Sequence, residues 1–437
     1  MNNKKILFLI FICLVLSFSF SYFHYNKSLQ ENDNNKEANI KEEDIAVFIN
    51  GTISSTFPNS ASYIPRVECS DNIKGHVTWD GTNNKWLLKT EGTDSPSARC
   101  NVYFTAGTQN LKDAILANNN SIKVEDASTL TNQPGKAVSG ENEKFLVKTP
   151  DDYGNSYIFR GNIDNNYVVF ANKCWKIVRI TGNNAIKLIL QNNNGTDCSV
   201  YNAAGKSAFN NAPGVFNTST GVGFMYGEPN PSGANDNEKY LNAQANTYDS
   251  TILTFLKGWY DNVFSASDKN KLADVIWCND KSLYSGVGYG NTSNTYFNAS
   301  SRIYDEKSPS LICPNAGSDN KLSKFTASDT TNGNGKLYGY KIGLLNADEV
   351  AFAGAIYGQA NSNYYLSNKI IWLLSGLNKI NGRNTYNWLI QPDGRLDSYQ
   401  VNEPLYVLPA IALSSTVTYY LNGTGTPGTI TNPYIVI

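Results

Sequence analysis

The sequence predicts an α+β protein made of many short strands and few helices. Short β-rich runs separated by Gly, Asn, Pro and Ser turns recur from residue 44 to the C-terminus, and only a few stretches show helical spacing of apolar residues. An apolar run at 6–23 stands apart from this pattern. The 437 residues are enough for two or three domains.

Residues 1–23 have the features of a signal sequence or a membrane anchor. Lys4 and Lys5 precede an uncharged run from Ile6 to Phe23, which is about long enough to span a bilayer. The two lysines favour a cytoplasmic N-terminus, so the rest of the chain would face outward. Because no Ala-x-Ala site follows, we expect an uncleaved single-pass anchor that contacts the membrane through residues 6–23. A cleaved signal and a secreted protein are the alternative.

A linker and a small β module are expected next. Residues 24–43 are polar and charged, which predicts a disordered linker. Residues 44–106 predict a small all-β sandwich with the runs IAVFIN (45–50), RVEC (66–69), HVTW (76–79), KWLLKT (85–90) and CNVYFT (100–105). Trp79 and Trp86 flank a turn-rich hairpin connection, and we expect both to pack in the core of this module.

The rest of the chain is interpreted as a connector and one large domain. Residues 107–143 form the predicted connector, with one amphipathic stretch at 111–119, and residues 144–437 form the domain. Its predicted strands are SYIFRG (156–161), NYVVFAN (166–172), CWKIVRIT (174–181), AIKLIL (185–190), IIWLLS (370–375), YNWLIQ (386–391) and YVLPAIAL (406–413), followed by TYYLNG and PYIVI. A hairpin is expected at Gly182-Asn183-Asn184.

Helices are expected at three places in this domain. Residues 250–264 have apolar residues at helical spacing. Ser267 is placed to cap a further helical turn that runs through Leu272, Val275 and Ile276. Asn346 and Glu349 have the spacing of a capping box, and Gly354 stands where a C-cap would.

Cysteine usage indicates export. Apart from Cys13 in the apolar run, the chain has an even number of cysteines, which suits an oxidising compartment. Six cysteines allow 15 pairings, but their order and separation favour neighbours. The pairs expected on this basis are Cys69–Cys100, Cys174–Cys198 and Cys278–Cys313. No Cys-x-x-Cys occurs, so thiolate metal sites and thioredoxin-type chemistry lack their spacing.

Composition excludes several function classes. The two histidines, His24 and His76, lie in the first fifth of the chain, so Ser-His-Asp, Cys-His and His-rich zinc sites have no imidazole in the large domain. The chain has 36 basic and 37 acidic side chains and no long basic block, so we expect no nucleic-acid partner. Chemistry based on carboxylates remains open.

Several motifs resemble a large group of uncharacterised surface proteins of gut Gram-positive bacteria. The matching stretches are Tyr157-x-Phe159-Arg160-Gly161, Cys174-Trp175-Lys176-Ile177-Val178-Arg179-Ile180, Phe224-Met225-Tyr226-Gly227, Cys278-Asn279-Asp280, Cys313-Pro314 and Ile342-Gly343 through Gly354. The block Ala347-Asp348-Glu349-Val350 is the most specific of them, and it also resembles a helix of formylglycine-generating-enzyme-like domains. The resemblance implies a C-type-lectin-like fold in the large domain. It does not carry over the formylglycine activity, because no cysteine follows Cys313.

The leading functional prediction is a non-catalytic cell-surface protein that binds an extracellular glycan or protein. Flat aromatic faces and short amides are mixed in the late segment at about 361–404, as is common in recognition surfaces. The predicted ligand-binding residues are Tyr364, Tyr365, Trp372, Asn384, Tyr386, Asn387, Trp388 and Tyr399. Trp372 and Trp388 lie in apolar strands, and core packing is the alternative for both.

Two other functions are kept as alternatives. One is a structural envelope or adhesin component without a small ligand, which the anchor, linker and modular layout suggest. The other is a glycan hydrolase using two of the carboxylates Glu349, Asp393 and Glu403. We expect no cofactor and no metal site, although the run Asn235-Asp236-Asn237-Glu238 offers oxygen donors of the kind that calcium prefers.

Overall fold

The computed structural model is mostly β, with 41% of its described residues in strands and 16% in helices. It describes residues 41, 44–49, 51–58, 63–80, 83, 85–92, 97–106, 110–124, 143–228, 235, 238, 240–241, 245–284, 294–314, 323–329, 335–380, 383–421 and 426–437. The chain divides into two compact units, Met1–Thr108 and Gln109–Ile437.

The predicted segments at 1–23 and 24–43 lie outside the described residues, apart from Lys41. Within the described ranges, no helix combines the length and the apolar character needed to cross a bilayer. The anchor and the linker therefore stay predictions from the sequence.

The described residues of the first unit form six strands in two sheets. They are β1 (Ile45–Ile49), β2 (Thr52–Ser54), β3 (Tyr63–Cys69), β4 (Lys74–Asp80), β5 (Lys85–Glu91) and β6 (Cys100–Ala106). Four form a sheet in the order β2-β1-β6-β3, and β4 and β5 form a separate hairpin. Val47, Val102 and Phe104 from the sheet share a core with Trp86 from the hairpin. Trp86 is thus a core residue, as expected, whereas the side chain of Trp79 lies outside the described part.

The second unit contains twenty strands among its described residues. They are β7 (Ile122–Val124), β8 (Lys144–Asp151), β9 (Gly154–Gly161), β10 (Tyr167–Phe170), β11 (Lys173–Ile180), β12 (Ile186–Asn192), β13 (Gly205–Ser207), β14 (Met225–Tyr226), β15 (Tyr248–Asp249), β16 (Trp277–Cys278), β17 (Thr295–Tyr296), β18 (Lys324–Thr326), β19 (Gly335–Lys336), β20 (Ile371–Lys379), β21 (Thr385–Ile390), β22 (Leu396–Gln400), β23 (Leu405–Val407), β24 (Ala410–Leu413), β25 (Tyr419–Leu421) and β26 (Tyr434–Val436).

Two sheets organise these strands. A nine-stranded sheet runs β25-β26-β10-β11-β9-β8-β7, with β12 joining β11 to β24. A six-stranded sheet runs β13-β23-β20-β21-β22, with β17 beside β20. The hairpin between β11 and β12 forms where Gly182-Asn183-Asn184 predicts it, and Asn184 takes a left-handed backbone with φ 65°.

One predicted strand is divided between the two sheets. The run at 406–413 becomes β23 in the six-stranded sheet and β24 in the nine-stranded sheet, with Leu408 and Pro409 between them. Pro409 has no N–H to donate to a strand ladder, which explains the break. The chain therefore changes sheets where the sequence predicts one continuous strand.

In the second unit, the helices whose bounds fall within the described residues are α1 (Leu111–Asn118), α2 (Thr251–Val263), α3 (Ala266–Asn270) and α4 (Ala347–Ala353). Single turns lie at Asn298–Ser300, Ser301–Asp305 (a π-helix) and Ser219–Val222 (a 3-10 helix). The expected helix at 250–264 is present as α2. The expected capping box is present on α4, where the Asn346 side chain accepts from the Glu349 N–H and Glu349 accepts from the Asn346 N–H.

The helix expected from Ser267 is wrong in its start and its end. Ser265 caps α3 through a capping box with Asp268, and the helix ends at Asn270. Leu272 instead forms a bridge with Leu413, and the Ala273 N–H donates to the Ala412 carbonyl. Leu272 is therefore buried beside β24 by extended pairing and not on a helix.

The segment predicted as a connector belongs partly to the second unit. In α1, Leu111 and Ile115 are fully buried in its core, and β7 pairs with β8. The Leu111 N–H also donates to the Val417 carbonyl at 3.1 Å, close to the C-terminal strands. The unit therefore begins at Gln109. Residues 125–142 of the predicted connector lie outside the described residues.

The three predicted disulfides are confirmed. Cys69–Cys100, Cys174–Cys198 and Cys278–Cys313 are bonded, with sequence separations of 31, 24 and 35 residues. Cys174 and Cys198 are buried and form a small apolar cluster with Tyr167. Each bridge connects neighbours along the chain and so constrains a loop of modest length.

We expect the Cys174→Ala/Cys198→Ala variant to lose about 3 kcal/mol of free energy of unfolding, because the bridge closes a buried loop of moderate length. The measurement is guanidinium denaturation of the full oxidised chain, followed by tryptophan fluorescence. The control is Cys69→Ala/Cys100→Ala, which should leave the transition of the second unit in place because that bridge lies in the first unit. Equal transitions with and without the 174–198 bridge would contradict its stabilising role.

Candidate functional site

Most of the predicted ligand-binding residues are buried. Tyr364, Tyr365, Trp372, Asn387 and Trp388 are each at most 4% exposed. Asn384 and Tyr386 are half-buried, and Tyr399 is 44% exposed.

Their contacts explain this burial. The Tyr364 hydroxyl donates to the Gly394 carbonyl at 2.8 Å, and Trp372 Nε1 donates to the Ser207 carbonyl at 2.9 Å. Both side chains therefore join separate segments of the core through buried hydrogen bonds. In this structure a ligand surface in the late segment does not include the five buried residues. Five of the eight predicted residues thus lie in the core of this structure, and their burial favours the core alternative for Trp372 and Trp388.

Strand register places two of the three accessible residues, Tyr386 and Tyr399, on different faces of one hairpin. In the hairpin of β21 and β22, Tyr386 is opposite Gln400 and Trp388 is opposite Ser398. Asn387 is opposite Tyr399, one residue out of phase with those pairs. Because successive side chains of a strand point to opposite faces, Tyr399 lies on the other face from Tyr386. The structure thus brings Tyr386 together with Gln400 and leaves Tyr399 apart.

Three aromatic rings connect the core to the surface on the face of Trp388. The buried Trp388 ring meets Tyr357 edge-on, with ring centroids 5.2 Å apart. Tyr357 in turn meets Tyr304 edge-on at 5.1 Å, and Tyr304 is 58% exposed. Burial raises the pKa of the Tyr357 hydroxyl, and Asp397 adds to the rise. These contacts hold an exposed aromatic face on a rigid base.

Amide side chains lie at the end of the same hairpin. Asn384 Nδ2 donates to Gln400 Oε1 at 2.7 Å and to Asn402 Oδ1 at 3.1 Å. All three side chains are half-buried. Among the described residues, the amide nitrogens of Gln400 and Asn402 and Asn384 Oδ1 have no hydrogen-bond partner. This pre-ordered cluster therefore keeps both donors and an acceptor for a ligand.

We call these aromatic and amide side chains the late-strand surface. Its members are Tyr304, Tyr357, Asn384, Tyr386, Gln400 and Asn402.

The π-helical turn that carries Tyr304 also contains a buried arginine, whose ion pairs hold the turn in place. Arg302 donates to both carboxylate oxygens of Asp348, at 2.8 and 2.9 Å, and to Asp280 at 2.9 Å. Such two-point pairing fixes the position of the guanidinium plane. The short turn therefore directs Arg302 toward α4 and Tyr304 toward solvent.

A second buried network surrounds Glu349 on α4. Glu349 Oε1 accepts from Lys187 Nζ at 2.6 Å and from Arg179 Nε at 2.9 Å, and Arg179 also donates to Asp151 at 2.5 Å. Burial raises the pKa of the Glu349 carboxyl, but Lys187 and Arg179 outweigh it and hold the pKa below its ordinary value. The pKa of Lys187 is lowered by burial to about 8. The Glu349 carboxylate thus compensates part of the positive charge of two buried side chains, Lys187 and Arg179.

The carboxylates proposed for hydrolysis are placed differently. Glu349 has no exposed surface, so in this structure it does not face solvent. Asp393 lies in the turn before β22 and pairs with Arg395 at 2.9 Å. Glu403 is half-buried in the loop after β22.

The run considered for calcium is described at two of its positions. The Asn235 N–H donates to Glu238 Oε2 at 2.8 Å, and the Glu238 N–H donates to Asn235 Oδ1 at 3.0 Å, while Asp236 and Asn237 lie outside the described residues. Over the part of the chain that the structure describes, no three His, Cys, Asp or Glu side chains are grouped to hold a metal ion.

No family model, curated protein or solved structure matches this chain. The function is therefore argued from the geometry of the site.

Four members of the late-strand surface were not predicted from the sequence: Tyr304, Tyr357, Gln400 and Asn402. Side chains alternate along β22 (LDSYQ), which places Ser398 and Gln400 on one face. Gln400 could therefore have been found from the alternation in the sequence. No sequence pattern indicates Tyr304, because its exposure depends on the ion pairs of Arg302 with Asp348 and Asp280.

Proposed function

We propose that the chain is a non-catalytic binding protein of the cell surface that recognises an extracellular glycan through the late-strand surface. The observation that carries this proposal is the combination of an exposed, supported aromatic ring at Tyr304 with amide donors and an acceptor at Asn384, Gln400 and Asn402. An aromatic face packs on the apolar face of a sugar ring, and amides hydrogen-bond its hydroxyls. Of the carboxylates considered for hydrolysis, Asp393 pairs with Arg395, Glu349 is buried, and Glu403 lies in the loop after β22.

We further propose that the second unit has a C-type-lectin-like fold. Three features support it: α2 and α4 accompany a mainly antiparallel sheet, the start of the unit at Asn110 bridges to Thr418 near its end, and an irregular segment at 354–370 precedes the late strands. The shared core of the first unit likewise supports a small sandwich module. Three disulfides and the apolar run at 6–23 support an extracellular position behind a membrane anchor or a cleaved signal.

The test is binding of the full oxidised chain to arrays of glycans and cell-wall polysaccharides, with and without calcium. We expect saturable binding, reduced at least about tenfold in Tyr304→Ala/Gln400→Ala, because loss of a central aromatic contact commonly costs this much affinity. Tyr338→Ala is the matched control, since Tyr338 is exposed and lies outside the late-strand surface.

Three results would count against the proposal. Unchanged binding in Tyr304→Ala/Gln400→Ala would move the site elsewhere. Equal loss in Tyr338→Ala would show a general effect of removing exposed tyrosines. Binding to no glycan by a folded chain would favour the structural component, with a protein ligand to be sought next.

A further inference from the structure

A cluster of lysines and tyrosines lies at the β13–β23 edge of the six-stranded sheet. The Lys369 ammonium is 3.4 Å from the centroid of the Tyr201 ring, and Lys206 Nζ is 4.6 Å from the centroid of the Tyr406 ring. Lys206 and Tyr406 are directly opposite each other in β13 and β23. Lys206 is exposed, and Tyr406 is 38% exposed, so the cluster opens to solvent.

The positive charge of this cluster lacks an acidic partner. Lys369 and Lys206 form no ion pair with any carboxylate of the described residues. Lys176 lies close enough to Lys369 to lower its pKa, and the Lys176 ammonium donates to the Tyr365 carbonyl. An ammonium held over an aromatic ring is partly stabilised, but it retains hydrogen-bond donors and an uncompensated charge.

A polar atom without a partner lies in the same cluster. The Tyr201 hydroxyl is buried and makes no hydrogen bond with the described residues. It lies within electrostatic reach of Tyr406. Buried hydroxyls are normally hydrogen-bonded, because an unpaired one costs free energy. A bound group that accepts from Tyr201 and from the lysines would supply the missing partner.

We propose that Lys369, Lys206, Tyr201 and Tyr406 form a binding site for an anionic group, a carboxylate or phosphate carried by an extracellular polymer. The ammonium groups bind the anion by charge-assisted hydrogen bonds, and the two phenol hydroxyls donate to its oxygens. The site stands apart from the late-strand surface, because Lys206 and Tyr406 lie in β13 and β23, toward the opposite edge of the sheet from β22. It does not depend on the function proposed for that surface.

The protonation of Lys369 gives the site a measurable signature. Burial, with a contribution from Lys176, lowers the pKa of Lys369 to about 7, and burial lowers the pKa of Lys176 to about 8. Burial also raises the pKa of Tyr201 to about 12, so both tyrosine and lysine donors carry their protons at pH 6. A bound anion stabilises the protonated form of Lys369, so the binding of an anion at pH 8 should be accompanied by uptake of protons. Affinity should therefore fall as the pH rises above about 7.

The experiment is calorimetry of the full oxidised chain with galacturonate, glycerol phosphate and neutral galactose, at pH 6 and pH 8 in buffers of different ionisation enthalpy. We expect one or both anions to bind, galactose not to bind, and proton uptake at pH 8. The anion that binds identifies carboxylate or phosphate as the natural group. Failure of both anions to bind would overturn the proposal without bearing on the late-strand surface.

Three variants sharpen the experiment. Lys369→Met should weaken anion binding at least about tenfold, because it removes a charged donor. Lys369→Arg should keep binding but lose the fall above pH 7, because a guanidinium does not titrate there. Lys307→Met, which removes an exposed lysine outside the cluster, is the control for net charge. If Lys369→Met does not fold, Lys206→Met tests the exposed side of the site. Anion binding equal to that of the unmodified chain in these methionine variants would refute the assignment.

Discussion

Glu349→Gln is expected to lower the free energy of unfolding of the second unit by about 3–5 kcal/mol, although glutamine has nearly the same shape. The carboxylate is buried between Lys187 and Arg179, and it accepts a hydrogen bond from each of them. Removing its charge leaves Lys187 without an ion-pair partner among the described residues, and an uncompensated buried charge is strongly destabilising. Guanidinium denaturation followed by tryptophan fluorescence measures the change.

Two matched variants separate charge from shape. Glu403→Gln makes the same chemical change in a half-buried loop and should change stability by less than about 0.5 kcal/mol. Lys187→Met combined with Glu349→Gln should cost clearly less than the sum of the single changes, because the pair is removed together. Additive losses, or a Glu349→Gln variant as stable as the unmodified chain, would show that the ion pair of Glu349 with Lys187 does not stabilise the second unit.

The same carboxylate gives an acid dependence of known sign. The pKa of Glu349 in the folded state lies below its ordinary value. The ionised carboxyl therefore adds to the free energy of unfolding at pH values above the pKa that Glu349 has in the unfolded chain. This contribution is lost as the pH falls through the pKa that Glu349 has in the folded chain. The stability gap between the unmodified chain and Glu349→Gln should therefore narrow in acid.

Local patterns in the sequence predicted much of the fold. The alternation and turn residues around Gly182-Asn183-Asn184 fix a hairpin whose partners are close along the chain, and the cap at Asn346 depends only on residues up to Glu349. The three disulfides join neighbouring cysteines, so their order was informative.

Features set by distant contacts were missed. The division of the 406–413 run depends on β12 and β20, which lie far away along the chain, and the end of α3 depends on pairing of Leu272 with Leu413. The burial of five predicted binding residues has a similar reason: tyrosine and tryptophan suit both a recognition surface and a core, and only tertiary packing decides between them.

Trp372 tests that distinction directly. Trp372→Ala should lower the free energy of unfolding by about 3–5 kcal/mol, because it removes a large buried ring that packs against Phe209 and leaves a cavity. Tyr399→Ala, at an exposed position, should have little effect on stability. A ligand-contact role for Trp372 would give the opposite result, with unchanged stability and lost binding.

Substitution by phenylalanine isolates the polar contact of the two buried tryptophans. Trp372 Nε1 donates to the Ser207 carbonyl at 2.9 Å, whereas Trp388 Nε1 has no partner among the described residues. Both changes remove similar volume, but only Trp372→Phe breaks a buried hydrogen bond. We therefore expect Trp372→Phe to be more destabilising than Trp388→Phe by about 1–3 kcal/mol in chemical denaturation. Equal losses of free energy of unfolding in the two variants would contradict this expectation. They would mean that an ordered water accepts the Trp388 Nε1 hydrogen, so that both indole N–H groups are hydrogen-bonded.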